Sequence, residues 1–215
     1  MSADAILLLS GGVDSTTLLA QLSAEGVKLH CLTFDYGQTL KKEVEIARNN
    51  AEKYRQEWQK VTIDLSWLNT PCSLLGRGKI PTNRTQDQID HQTPTTYVPF
   101  RNGIFLAYAV AFGESNKINR IFCGGNGLYS GQYPDDTAIF AWDFQNAANS
   151  GTSPAYNPKI RFPYANTPKS NVVAIGKRLS VDYNQTWSCY QNGLHHCGKC
   201  DSCYQRLKAF KEADL

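Results

Sequence analysis

The sequence predicts a doubly wound α/β domain built on a parallel sheet, with a small cysteine-bearing segment at its C-terminal end. Three observations lead there. A short apolar run opens directly into Ser10-Gly11-Gly12-Val13-Asp14-Ser15. Strand-like and helix-like stretches then alternate, the pattern of an open parallel sheet with helices on both faces. Finally, Cys189, Cys197, Cys200 and Cys203 crowd into one short stretch.

Ala5 to Leu9 reads as a strand, and Thr16 to Leu22 as a helix with leucines at helical spacing. Gly26 ends that helix, and Val27 to Phe34 reads as a second strand, broken by Asp35-Tyr36-Gly37-Gln38. Lys41 to Tyr54 is expected to be a charged amphipathic helix burying Val44, Ile46, Ala47 and Ala51. Gln59 to Leu65 follows as a third strand. Residues 69–97 carry three prolines and many Thr, Asn and Gln, so a long loop is expected. A loop of that length in a compact domain is usually functional or mobile. Asn102 to Glu114 reads as an apolar helix, and Arg120 to Cys123 as a fourth strand running into Gly124-Gly125-Asn126. An irregular stretch from Gly127 to Pro134 leads into a helix over Thr137 to Ala148. Residues 150–168, with four prolines, read as another loop. Asn171 to Leu179 and Tyr204 to Glu212 complete the helices. The expected division is 1–183 for the α/β domain and 184–215 for the cysteine loop and last helix.

Composition narrows the class. The 215 residues are 41% hydrophobic and 19% charged, and mean hydropathy is −0.41. These values exclude collagen-like, mucin-like and fully disordered chains. No apolar run approaches the roughly 20 residues of a membrane span. The first residues lack the basic region of a secretory signal, so a cytoplasmic location is expected. A net charge of +3, from 22 basic and 19 acidic residues, is too small to imply a nucleic-acid partner and suits an anionic small substrate. A zinc-ribbon nucleic-acid module would need a basic, aromatic surface near the cysteines. Tyr190, Lys199, Tyr204, Arg206 and Lys208 supply little of one, and the glycine loop would go unexplained. A homodimer is compatible with all of this.

The glycine loop is the strongest motif. Glycines let backbone approach phosphate oxygens closely. The helix that follows offers free N–H groups and the positive end of its dipole. Ser10 and Ser15 add hydroxyls. The loop is neither Gly-x-x-x-x-Gly-Lys-Ser/Thr nor Gly-x-Gly-x-x-Gly. A tight turn capped by Asp14 or Ser15 is the reading without a ligand.

The cysteine spacing is Cys189-x7-Cys197-x2-Cys200-x2-Cys203. Seven cysteines in all, an odd number, argue against a disulfide framework. Four thiolates so close can complete a tetrahedral Zn²⁺ site, which is closed and therefore structural. A [4Fe–4S] cluster is the rival reading, and His195 and His196 stand close enough in sequence to replace one cysteine.

Ser-Gly-Gly-x-Asp-Ser after a first strand resembles the PP-loop of the ATP pyrophosphatase superfamily, with its adenine nucleotide alpha hydrolase-like fold. Within it, the chain resembles the 7-cyano-7-deazaguanine synthase family. The matching segments are Ser10 to Thr17, Asp35-Tyr36-Gly37-Gln38, Tyr97-Val98-Pro99-x-Arg101-Asn102, Tyr133-Pro134-Asp135, Thr186-Trp187-Ser188-Cys189-Tyr190 and His196 to Cys203, followed by Arg206 and Ala209-Phe210. The resemblance implies an ATP-dependent carbon–nitrogen ligase using Mg²⁺. It would adenylate a 7-deazaguanine carboxylate, add ammonia to give the amide, and reach the nitrile in a second ATP-driven step. It implies nucleotide binding by Ser10, Gly11, Gly12, Val13, Asp14, Ser15, Asp35 and Gly124. Substrate binding would fall to Tyr36, Gln38, Arg101, Asn102, Tyr133 and Asp135, the last at the guanine-like edge. Ser10, Asp14, Arg101 and Lys169 would serve catalysis.

The departures cluster where the substrate is expected. The family usually continues Tyr-Pro-Asp with Cys-Arg, whereas Asp136 and Thr137 follow here, and Phe100 stands where Gly or Ala is usual. The exchange removes a positive charge and adds a negative one. It is expected to spare adenylation and to slow the amide-to-nitrile step. The alternative is a divergent paralogue that couples the activated carboxylate to another amine, such as one on a protein partner, in antiviral defence.

Overall fold

The central strand follows from its composition. Ala5–Leu8 (β1) reads AILL, and all four residues are buried. A strand covered on both faces is a continuous apolar run, and burying each of its leucines is worth roughly 1.5–3 kcal/mol. The computed structural model describes residues 3–126 and 133–215. In it β1 pairs in parallel with Leu29–Asp35 (β2) on one side and with Arg120–Cys123 (β4) on the other. Glu57–Thr62 (β3) extends the sheet beyond β2, and Lys159–Arg161 (β5) beyond β4. The order is β3-β2-β1-β4-β5.

Strand alternation assigns the helices to faces. Ala5, Leu7, Leu29 and Cys31 pack against Val13–Ala24 (α1), Lys42–Lys53 (α2) and Lys169–Arg178 (α6), through Leu18, Leu22, Ala47, Ala51 and Val172. Ile6, Leu8, Leu32 and Phe34 face Arg101–Asn116 (α4) and Ala138–Gly151 (α5), through Leu106, Ala109, Val110 and Ala141. Asp201–Glu212 (α7) closes on α6, where Val173, Tyr183 and Ala209 form a smaller core. Strand order reverses at β1, between β2 and β4. In such sheets ligands bind in the crevice at the carboxyl ends of the strands at that point.

Two expected loops contain structure. Residues 150–168 hold β5, an edge strand of three residues. Residues 69–97 hold a single 3-10 turn at Ser73–Leu75 and a short helix, Gln86–His91 (α3). That helix opens with a capping box, in which Thr85 accepts from the Gln88 backbone and the Gln88 side chain accepts from the Thr85 N–H. Helix α7 starts at Asp201, three residues before Tyr204, because its first turn carries Cys203 into the cysteine group. Of the stretch from Gly127 to Pro134, residues 127–132 lie outside the described residues. Among the described residues no helix is long and apolar enough to cross a membrane.

Candidate active site and metal centre

The glycine loop turns from β1 into α1. Gly12 is the N-cap of α1 and supplies no side-chain cap, so the helix presents its first N–H groups outward. The Ser15 hydroxyl accepts from Ser10 N at 3.2 Å and lies 3.0 Å from Ser10 Oγ, which curls the loop on itself. Gly11 has φ +78°, and a Cβ there would lie 2.9 Å from the Glu43 carbonyl oxygen and 3.0 Å from Ala47 N. Its missing side chain therefore lets α2 close on the loop. A Cβ on Gly124 would sit 2.9 Å from Ser15 N, so this glycine lets the end of β4 close on it too. Asp14 forms an ion pair with Lys169 through Oδ2, while its buried Oδ1 has no hydrogen-bond partner.

A cleft of ≈ 340 Å³ opens beside this loop. Of the residues expected to act, it is lined by Ser10, Gly12, Val13, Asp14, Ser15, Tyr36, Arg101, Asn102, Gly124, Tyr133 and Lys169. Four others stand outside the lining. Gly11 packs on α2. Asp35 holds Lys41 at 2.5 Å, and that bond draws its carboxyl below the ordinary range. Gln38 accepts from Tyr36 N at 2.7 Å and donates to the Phe34 carbonyl at 3.2 Å, which fixes the turn that carries Tyr36. Asp135, expected at the guanine-like edge, is engaged with the backbone. It is buried, and its Oδ2 accepts from Asn102 N at 2.8 Å, satisfying the start of α4, where Phe100 provides no side-chain cap.

Arg101 lies across the cleft from the glycine loop. It donates to the Tyr36 hydroxyl at 3.4 Å and lies over the rings of Tyr36 and Phe105 at 5.8 Å each. Its buried Nε has no partner. Two further carboxyls face the cleft: Asp136, the departure from the family pattern expected near the substrate, and Glu43, which sequence reasoning did not place there. Burial pushes Glu43 up to about 7 and Asp136 up to about 6, against the pull of Arg101 in both cases. Asp136 accepts from Asn102 Nδ2 at 3.2 Å and Asn126 N at 3.3 Å. Thr137, the other departure from the family pattern, is the N-cap of α5 and accepts from Phe140 N at 3.1 Å.

The cysteines come together as their spacing suggested. The sulfurs of Cys189, Cys197, Cys200 and Cys203 all lie within 4.8 Å of one another, a spacing four ligands around one ion can close into a tetrahedron. All four thiols are free of disulfides. Cys189 Sγ accepts from Gln191 N and Cys197 N at 3.4 and 3.3 Å, and Cys197 Sγ from Lys199 N and Cys200 N at 3.4 Å each. N–H groups aimed at sulfur favour thiolates. His196 is engaged elsewhere, since it accepts from Ser188 N at 3.2 Å and stacks on Trp187.

The long 69–97 segment explains itself here. Thr82 bridges to Cys200, Asn83 N donates to the Lys199 carbonyl at 2.8 Å, and Arg84 pairs with Asp201. The segment is a strap across the cysteine loop. Arg206, buried in α7, donates to Thr186 Oγ1 at 2.7 Å and to the Tyr183 carbonyl at 2.6 Å. From that anchored stretch Trp187 N donates to the Gly11 carbonyl at 2.9 Å, so the cysteine segment also braces the glycine loop.

Comparison with known proteins agrees with this geometry. The family profile described as Queuosine biosynthesis protein QueC matches residues 4–214. A 7-cyano-7-deazaguanine synthase of Picrophilus torridus is 41% identical over 212 residues, covering 97% of this chain and 87% of that one. One of Syntrophus aciditrophicus is 40% identical over 218 residues, covering 97% and 93%. Among solved structures, a 4-thiouridine synthetase–RNA complex with bound ATP covers 99% of this chain and 50% of that one. It aligns at a TM-score of 0.54 and 18% identity, which shows the shared fold.

Proposed function

Because the chain belongs to the QueC family of queuosine biosynthesis proteins, we propose that it makes 7-cyano-7-deazaguanine from the 7-carboxy compound, ATP and ammonia. One observation carries the ATP-dependent part: Asp14 pairs with Lys169 through one oxygen and leaves the other buried and unpartnered beside an uncapped helix start. An orphaned carboxylate oxygen there fits a Mg²⁺ ion that accompanies ATP.

A carboxylate resists attack by ammonia until one oxygen becomes a leaving group. In this reading the substrate oxygen attacks the α-phosphorus of ATP and pyrophosphate departs. The start of α1, Ser10 and Lys169 hold the charge that develops on the leaving phosphates. Mg²⁺ would supply further neutralisation of that charge. Arg101 orients the carboxylate with its free Nε–H, and Asn102 completes that wall of the cleft. Ammonia then attacks the carbonyl carbon and AMP leaves. Holding the partners together replaces a dilute encounter with a local one. The cysteine group would hold Zn²⁺ as a closed structural site, supplying fold stability and no chemistry.

The relatives give no support to the coupling of the activated carboxylate to another protein, nor to a role in antiviral defence. The environment of Asp136 supports an active pocket, since Asn102 and Asn126 already bind its carboxylate. The test is the mass of the product formed from 7-carboxy-7-deazaguanine, ATP, Mg²⁺ and ammonium. The nitrile is expected, with the amide-to-nitrile step the slower of the two. Accumulation of the amide, with no nitrile when the amide is supplied directly, would refute the second step.

A further inference from the structure

One carboxyl in the cleft has no part in the scheme above. Glu43 sits in the first turn of α2 and faces the cavity with Tyr36, Phe105 and Arg101. The other carboxyls nearby are occupied. Asp14 holds Lys169, Asp135 caps α4, and Asp136 accepts from two asparagines. Glu43 has no hydrogen bond or ion pair among the described residues, and Arg101 is the charge that acts on it. A half-buried carboxyl that faces a cleft without a partner is placed to accept from the donors of a ligand. Its place is also fixed, because side-chain-free Gly11 packs directly on the Glu43 backbone.

We infer that Glu43 reads the pyrimidine edge of the substrate base, its two oxygens accepting from a ring N–H and the neighbouring exocyclic amino group. The inference rests on the deazaguanine reading and names a residue that sets its specificity. A guanine-type edge presents these two donors side by side, matched to a carboxylate. An adenine-type edge presents one donor beside a ring nitrogen lone pair, which a carboxylate repels. The rings of Tyr36 and Phe105, 5.4 Å apart, give the slot an aromatic wall. Arg101 stands next to Glu43 as the donor for the carbonyl and carboxylate side of the same base. Burial pushes the empty carboxyl up to about 7, and two ligand donors favour its ionised form.

The test measures kcat and KM for 7-carboxy-7-deazaguanine and for its 2-oxo analogue, with calorimetric binding of 7-deazaguanine and 7-deazaxanthine. The proteins are the unaltered chain, Glu43→Gln and Glu43→Asp. Glu43→Gln should raise the KM for the 2-amino substrate by about 100-fold. It should also turn the preference toward the 2-oxo edge, since a carboxamide offers one acceptor and one donor. The KM for ATP should stay within about twofold. Glu43→Asp should bind more weakly yet keep the 2-amino preference, which preserves a readout if the glutamine variant folds poorly. A fall in kcat with selectivity unchanged would assign Glu43 to proton transfer or packing and overturn the inference. So would a raised KM for ATP alone. If the unaltered chain binds 7-deazaguanine through Glu43 but does not turn over the carboxylate, the reaction assignment fails and the edge-reading role stands. If it binds neither base, the inference fails too.

Discussion

The cysteine group and the glycine-loop cleft lie side by side and are built on opposite rules. Around the sulfurs, backbone N–H groups of Gln191, Cys197, Lys199 and Cys200 already point at their acceptors. In the cleft, Asp14 Oδ1, Arg101 Nε and Asn126 Oδ1 are buried with no partner, and Glu43 faces the cavity unpaired. The first region supplies donors to its sulfurs and leaves Asp201 Oδ1, next to Cys200, as its one buried unpartnered side-chain oxygen among the described residues. The second is complete only when something polar enters it. Unsatisfied groups in a folded protein are costly, so where they collect is a guide to where a ligand belongs.

This contrast breaks most visibly at the metal. Elemental analysis should find about one zinc per chain. Cys200→Ser should lose that metal together with the cooperative melting transition, because structural zinc binding of about 10–16 kcal/mol is folding free energy. Iron with visible absorbance in anaerobic protein would replace the zinc assignment by a cluster. The next largest effect belongs to the cleft. Asp14→Ala and Ser10→Ala should each cut pyrophosphate release by about 100-fold or more, with melting temperature nearly unchanged. A melting loss as large as that of Cys200→Ser would mean the cleft residues hold the fold, and the contrast would collapse.

The smallest effect tests the cost of a buried carboxyl. Asp136 rises from 3.8 to about 6 on folding, so the folded chain holds its proton more tightly than the unfolded one. The resulting stability is fully present below pH 3.8 and is lost as pH rises through about 6. The loss should be about 3 kcal/mol. Urea unfolding of Asp136→Asn across that window should show a flatter pH dependence than the unaltered chain. An unchanged slope would locate the effect in other groups.

Much of this was legible in sequence, for local reasons. The glycine loop and the cysteines are defined by short-range spacing, and β1 by four consecutive apolar residues. Strand β5 was not legible, because three residues among prolines carry no period and pair only with β4. Helix α3 was announced by Thr85 and Gln88, a capping box within a polar stretch that hid it. The long-range partner of Asp135 was not legible either. Its motif matched a family pattern, but its carboxylate meets the backbone of Asn102 thirty-three positions away. Glu43 failed in the other direction, as one charge among many on an amphipathic helix. Its place in the cleft appears only in the fold, where Gly11 packs on the Glu43 backbone.

The hydrogen bond from Trp187 N to the Gly11 carbonyl makes the two regions thermodynamic partners. Trp187 belongs to the stretch that leads into Cys189, and it is further held by Lys42 lying 3.7 Å above its ring. On the proposed reading, loss of an ion from the cysteines would loosen that stretch and, with it, one support of the glycine loop. Linkage then runs both ways by the same factor. On the proposed reading, an ion at the cysteines would raise the affinity for ATP, and bound ATP would slow the escape of that ion to a chelator. An ion held there would then favour a competent loop, and a nucleotide at the loop would protect the ion.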